Sequence, residues 1–336
     1  MYMVAFLGPN ASYTHQAARD RFNQDTCVLS PQVTIEDVFQ QVQSRVAKFG
    51  VVPFENSTNG SVVFTLDLFA DIKSRHPDIV VCGEAYVDVH HCLLGRGAAR
   101  LTDTSLSSKT DSPTSSGQAT PTSKVPYPKT PAVKPVVPVK HVKKLYSHPQ
   151  AWGQCRDFLS TYLKGVERQD VSSTSRAAEL VAEDQSGSSA AISSAIAAEV
   201  HGLDVLARNI EDSADNKTRF FILKRTDCLE HQPMHRGAKV VDDDQNSFKS
   251  LVSFTVNHED PGSLADSLAV FKSYKLNLTS INTRPSGLVP WNYIFFIEFK
   301  GRRENDGATG AVNAALRDLN NVAKCWRWLG SWESEL

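Results

Sequence analysis

The sequence predicts a two-lobed α/β body with mostly parallel sheets, followed by a smaller β-α-β-β-α-β unit. Three observations predict it. Short apolar runs alternate with amphipathic stretches through roughly the first two-thirds of the 336 residues. The run "IVVCGEAYVDVHHCLLG" divides these into two clusters. The last ninety residues or so change to longer strand-like runs. Strands covered by helices on both faces read as continuous apolar runs, which is the mark of a parallel sheet.

Each element follows from its local residues. "MVAFLG" is a buried strand, broken by Gly8-Pro9, and "SYTHQAARDRF" follows with helical spacing. "TIEDVFQQVQSRVAKFG" is an amphipathic helix opened by a Thr34-to-Asp37 capping pattern and stopped at Gly50. "VVPFENS" is the next strand. Residues 101–140 interrupt the rhythm: Ser, Thr, Pro and Lys make up 26 of the 40. Such a composition buries too little apolar surface to offset its ordering entropy, so a disordered insertion is expected over about 98–140. The alternation then resumes with strand "KKLYS", helix "HPQAWGQCRDFLSTYL", strand "ERQDVSS", helix "SRAAELVAE", strand "AAISS" and helix "AIAAEVHG". The two-lobed body is expected over 1–228, and polar residues 229–248 read as a linker. From 249 to 336, "LVSFTVNH", "PGSLADSLAVFKSYKL", "NLTSINTRPS", "WNYIFFIEFKG", "GAVNAALRDLNNVA" and "KCWRWLGSW" give the ferredoxin-like order. Such a unit is expected to have an open sheet edge and one solvated face.

Composition excludes several classes. A net charge of −1 gives no field toward nucleic acid or membrane. No apolar run reaches the roughly 18 residues of a membrane span, and "MYMVAFLGPN" reads as a first strand, not a signal peptide. The six cysteines lack metal-ligand spacing, and their scatter points to a reducing, cytoplasmic compartment. His90, His91 and Cys92 are neighbours on a strand and point to alternating faces, so no metal site is expected. Neither metal nor cofactor is called for.

The candidate functional residues cluster at helix starts and strand ends. Ser12, Ser147, Ser172–Thr174 and Ser193–Ser194 each open a helix, where free N–H groups favour an anion. Ser147 and Gln150 fit a capping box with Pro149 in the first turn. Singly, each is an ordinary cap; together they point to a polyanionic small ligand in a cleft. Glu55, Asn56 and Ser57 end a buried strand, Gly60 permits a tight turn, and Thr65 and Asp67 follow. "NKTRF" brings Thr218 and Arg219 to the mouth of another strand. A guanidinium can hold a carboxylate bidentately. A threonine hydroxyl can donate a hydrogen bond to a departing oxygen.

These stretches resemble the prephenate dehydratase family of the monofunctional fungal type. "GPNASYTHQAA", "PFENSTNGSVVFTLDLF", "YSHPQAWGQC", "SSTSRAA", "AAISSAIAAEVHGLDVLARNIEDSADNKTRFFIL" and the final unit follow in that family's order. The resemblance covers nearly all but the insertion and linker. It implies a two-lobed catalytic domain similar to periplasmic binding proteins, then an ACT regulatory domain. It implies conversion of prephenate to phenylpyruvate, water and carbon dioxide in phenylalanine synthesis, with feedback by L-phenylalanine. By motif position, Thr218 looks like the catalytic residue, and Glu55, Asn56, Thr65, Ser147 and Gln154 like substrate neighbours, with Ser57, Ser173, Thr174 and Arg219 beside them. "DPGSL" and "INTRP" resemble the family's effector-binding turns, which makes Pro261, Gly262, Ser263, Leu264, Asn277, Leu278, Asn282 and Arg284 the expected phenylalanine contacts. ACT units pair, so a homodimer or homotetramer is implied.

The sequence departs from the family pattern at several points. Ala11-Ser12 stands for glycine-threonine, Tyr13 for phenylalanine, Ser263 for the regulatory alanine and Asn282 for the regulatory glutamate. Arogenate dehydratase, which acts on the amino analogue of prephenate, is the near alternative, and a non-catalytic amino-acid sensor is a second. A periplasmic solute receptor, a third, is expected to carry an export signal.

Overall fold

The computed structural model describes residues 1–97, 131, 133–228, 247–304 and 310–335. In chain order, the first elements are β1 (Tyr2–Leu7), α1 (Tyr13–Arg21), β2 (Cys27–Gln32), α2 (Ile35–Gln43), β3 (Phe49–Asn56), β4 (Gly60–Ser61), α3 (Val63–Ala70) and β5 (Ile79–Asp88). The middle holds β6 (Cys92–Gly95), β7 (Lys144–Ser147), α4 (Pro149–Gln154), α5 (Arg156–Tyr162), β8 (Glu167–Asp170), α6 (Thr174–Glu183), β9 (Ser189–Ser193), α7 (Ala195–His201) and β10 (Asp204–Ala207). Next come β11 (Lys217–Arg225), β12 (Phe248–Thr255), α8 (Ser263–Ser273), β13 (Leu278–Pro285), β14 (Tyr293–Lys300), α9 (Ala311–Val322) and β15 (Cys325–Glu333). The chain is a mixed α/β protein of two compact units. One comprises 1–8, 14–87 and 217–336; the other comprises 9–13 and 88–216.

In the first unit the sheet order is β2-β1-β3-β11-β5, with β4 added to β3. β1 pairs parallel with β2 and β3, but β11 pairs antiparallel with β3. In the second unit the order is β10-β6-β9-β7-β8. There β7 is parallel to β8 and β9, while β6 is antiparallel to β9 and β10. The expectation of mostly parallel sheets is therefore corrected to mixed sheets. Central strands buried on both faces read alike in either direction, so the apolar runs could not reveal orientation.

Helix α2 shows why local rules sometimes suffice. Thr34 Oγ1 accepts from the Asp37 N–H at 3.0 Å and Asp37 Oδ2 accepts from the Thr34 N–H at 2.9 Å, the reciprocal cap read from the sequence. Val38, Phe39 and Val42 are its buried face. It ends at Gln43, not Gly50, because Arg45 turns the chain with φ 65° and Gly50 already lies in β3. The single helix expected over 148–163 is two. They meet at Cys155, and Asp212 restarts the second by accepting from the Arg156 and Asp157 N–H groups, each at 3.0 Å. The cap of α4 is His148, whose Nδ1 accepts from the Gln150 N–H. Ser147 instead donates to the Ile192 carbonyl at 2.9 Å, which corrects the expected Ser147–Gln150 box.

Most of the expected insertion, and the linker up to 246, lies outside the described residues. The end of the insertion does not: Val133 and Val137 pack on a core with Leu145, Phe158 and Leu206, and Val139 is buried. Those valines are among the few apolar residues of an otherwise polar stretch.

The C-terminal elements form an antiparallel sheet, ordered β13-β14-β12-β15, with α8 and α9. The expected β-α-β-β-α-β order is present. One face of this sheet, with Val252, Phe254, Ile297 and Phe299, packs with Phe271, Leu316 and Leu319. The alternate residues Leu251, Phe296, Leu329 and Trp332 join the core of Val81, Phe69 and Phe221 in the same unit. The second face is thus covered, which corrects the expectation of a solvated one. Gly330 allows the close approach: its φ is +128°, and an added Cβ would fall 2.0 Å from the Val81 carbonyl oxygen. No helix among the described residues is long and apolar enough to cross a membrane.

Candidate active site

Thr218 is half-buried near the start of β11, opposite Asn56 of β3. Arg219 stands opposite Glu55. The register then slips, so that Phe220 faces Pro53 and Phe54 is the extra residue of a bulge. Bulges bend a strand and re-aim the side chains beside them.

Asn56 sets the orientation of the Thr218 hydroxyl. Asn56 Oδ1 accepts from the N–H groups of Thr58 and Asn59, each at 3.0 Å. Its Nδ2 is therefore turned toward β11, where it donates to Thr218 Oγ1 at 2.9 Å and to the Lys217 carbonyl at 3.2 Å. Thr218 spends a lone pair on Asn56 and keeps its own hydrogen for another acceptor. Ser57 fastens the same corner: its N–H donates to the Lys217 carbonyl and its Oγ accepts from the Lys217 N–H, each at 2.9 Å. Gly60, with φ +78°, lets β4 fold back so that Ser61 pairs with Glu55. Glu55 itself is half-buried, on the alternate pleat to Asn56.

Two expected contacts in this unit have partners within the protein. Thr65 is 0% exposed and donates Oγ1 to the Pro53 carbonyl at 2.7 Å, so it braces β3 from within. Arg219 is 6% exposed and is committed elsewhere. Its Nε and Nη2 donate to Glu84 Oε2 at 2.9 and 2.5 Å, and Nη2 lies 2.6 Å from Glu298 Oε2. The rings of Phe54 and Phe221 flank its guanidinium at 5.5 and 4.9 Å. Burial alone would raise the Glu84 pKa; Arg219, the Glu335 N–H and Lys249 outweigh it and hold the carboxyl below its ordinary value.

In the second unit, Ser147 is 0% exposed and its hydroxyl donates to the Ile192 carbonyl, which braces the sheet. Ser173 caps α6, accepting from the Arg176 N–H at 3.0 Å, and Thr174 is the first residue of that helix. Gln154 is half-buried, with Oε1 2.7 Å from His91 Nε2. Sequence reasoning missed His91 as a partner. It is buried, its backbone N–H donates to Glu211 Oε2 at 2.8 Å, and burial lowers its pKa, so the ring is neutral. The signal was there: paired histidines in an apolar run need buried partners.

The expected effector residues fall into two groups. Gly262 precedes α8, Ser263 opens it and Leu264 packs on its core, with Pro261 exposed beside them. Asn277 and Leu278 are exposed where β13 begins. Asn282 and Arg284 are bonded differently. Asn282 Oδ1 accepts from Ser61 Oγ at 2.6 Å, and Arg284 Nε and Nη2 reach the Asp67 carboxylate at 2.5 and 3.1 Å. The structure thus ties these two to the segment after Asn56.

Known proteins are similar to this chain in sequence and in fold. The sequence model of the family described as prephenate dehydratase matches residues 4–109 and 131–228. An Aquifex aeolicus protein named bifunctional chorismate mutase/prephenate dehydratase is 33% identical over 333 residues, covering 99% of this chain and 74% of its own length. A Saccharomyces cerevisiae protein named probable prephenate dehydratase is 31% identical over 331 residues, covering 88% and 86%. Among solved structures, prephenate dehydratase from Arthrobacter aurescens in complex with L-Phe superposes with a TM-score of 0.73 at 25% identity, covering 99% of this chain and 90% of that one. With the family model matched over more than half its length and full-length relatives at this identity, the chain belongs to the prephenate dehydratase family.

Proposed function

We propose that the chain converts prephenate to phenylpyruvate, water and carbon dioxide, with Thr218 as the catalytic residue. The carrying observation is the Asn56-to-Thr218 hydrogen bond at 2.9 Å, with Asn56 Oδ1 already held by two backbone donors. As the ring carboxylate leaves as carbon dioxide, its bonding electrons enter the ring and the carbon–oxygen bond to the hydroxyl breaks. The departing oxygen gains negative charge, which the Thr218 O–H stabilises; the proton that completes water comes from solvent. Donation from Asn56 polarises that O–H and strengthens it. Aromatisation drives the reaction, so the protein need only orient the dianion and support the developing charge. Ser57 and Glu55 flank that corner in the first unit.

The C-terminal sheet and its helices are proposed as an ACT-type module that binds L-phenylalanine at 261–264 and 277–278. The β-α-β-β-α-β order and the L-Phe complex of the Arthrobacter relative support this reading. A second copy is the proposed neighbour of the β13 edge, where Leu278 and Ile281 are 38% and 52% exposed. The cysteines are all unpaired, which suits a reducing compartment.

The test is purified protein with prephenate, following phenylpyruvate absorbance with and without L-phenylalanine, and arogenate in a parallel assay. Phenylpyruvate formation that L-phenylalanine slows is the expected result; binding of prephenate without turnover would favour a sensor. Sedimentation should show a dimer or larger, and a monomer with and without L-phenylalanine would remove the regulatory pairing.

A further inference from the structure

Four charged side chains meet inside the first unit. Glu84 of β5 and Arg219 of β11 come from one sheet, and Lys249 of β12 and Glu298 of β14 from the other. All are buried, at 0%, 6%, 7% and 2% exposure. Lys249 Nζ lies 3.1 Å from Glu84 Oε1 and 4.0 Å from Glu298 Oε1. Two cations face two carboxylates, so the cluster closes in charge. The Glu335 N–H donates to Glu84 Oε1 at 2.9 Å, and Thr279 Oγ1 donates to Glu298 Oε1 at 2.7 Å.

We propose that Glu298 is a positioning residue for the reaction: the C-terminal sheet supplies a carboxylate that fixes Arg219, and through Arg219 the hydroxyl of Thr218. This rests on the reading of Thr218 given above. The register slip next to Arg219 is the reason. At a bulge the ladder is locally disrupted, so backbone pairing alone fixes direction poorly there. The residue at that slip is held instead by its side chain, between Glu84 on its own sheet and Glu298 on the other. Thr218 is its covalent neighbour, and moving Arg219 rotates the peptide that carries the hydroxyl. A buried ion cluster serving stability alone has no need of this place, since apolar packing replaces such clusters at little or no loss. Thr279 on β13 holds the far side of Glu298, so the strand proposed to bind effector and the strand bearing Thr218 share one carboxylate.

The experiment uses the full chain with Glu298→Gln and Thr279→Val, read by hydrogen exchange at residues 217–222 and by kcat and KM for prephenate. For Glu298→Gln, exchange at 218–220 should speed by about tenfold or more. In the same variant kcat should fall at least about tenfold with KM within about twofold, because a shift near 1 Å can cost ~10²-fold. Thr279→Val, which keeps both ion pairs of Arg219, should move both readouts the same way by less. Wild-type exchange in a folded Glu298→Gln variant overturns the proposal, and so does a loss of kcat without faster exchange at 218–220. Should Glu298→Gln not fold, Thr279→Val decides by the same two readouts. Should the unaltered chain make no phenylpyruvate, the reading of Thr218 falls, and exchange alone decides whether Glu298 holds this strand.

Discussion

In the proposed mechanism the Thr218 hydroxyl serves the leaving group, and Asn56, with its own oxygen bound to Thr58 and Asn59, can only donate to it. Thr218→Val keeps the shape and removes that hydrogen. Turnover should fall about 10²- to 10³-fold, the usual worth of one hydrogen-bond donor to a developing oxyanion, with circular dichroism unchanged. Thr218→Ser retains the hydroxyl and should recover much of the rate. A Val variant turning over like the unaltered chain would remove Thr218 from the mechanism. "ENS" and "KTR" were legible in the sequence as a polar corner, because such residues at the ends of buried strands have few other reasons to be there. The partners of Arg219 were not read, although a signal existed: Glu84, Lys249 and Glu298 are single charges inside "VVCGEAYV", "FKSLVSF" and "YIFFIEF". A lone charge in a buried run must find an opposite one. Which opposite one it finds depends on how the sheets pack.

Elements obeyed local rules where their ends are local. The α2 cap needs only residues 34–37, and Thr34→Ala should cost about 1 kcal/mol in urea unfolding. No change in midpoint would show the cap idle. The boundary at Cys155 could not be read, because the group that restarts α5 is Asp212, far along the chain. Gly330 is the opposite extreme to Thr34. Its φ of +128° and the 2.0 Å overlap of an added Cβ with the Val81 carbonyl oxygen mean that Gly330→Ala must push β15 off β5. A loss of at least about 3 kcal/mol is expected, read as a lower thermal midpoint; an unchanged midpoint would show that the strands separate freely. In the sequence this glycine is one of 18.

For the whole molecule, buried ionisable groups set the response to pH. Burial lowers the pKa of His76 and of His91, so both stay neutral in the fold while the unfolded chain takes up protons near pH 6.5. Their stabilising effect is present above that value and is lost as pH falls through the folded values. Glu84 acts lower down: its carboxyl is depressed, so its contribution is present above about 4.3 and disappears as pH falls through the folded pKa. Stability should therefore decline from pH 7.5 to 5.5 and again below about 4. His76 packs against Phe39 at 5.6 Å and neither of its ring nitrogens has a hydrogen-bond partner among the described residues. His76→Phe should flatten the first decline in urea melts at the two pH values; an equal slope would take His76 out of it.

The sequence by itself determined the alternation of strands and helices, the β-α-β-β-α-β order after 248 and the polar ends of the strands that carry Asn56 and Thr218. Each of these is written in spacing, capping and turn residues close together in the chain. Tertiary structure alone decided strand direction in the mixed sheets, the covered second face of the C-terminal sheet and the partners of Arg219, Asn282 and Arg284. Those depend on which surfaces meet across some two hundred residues, and apolar periodicity reports that a face is buried without saying what buries it.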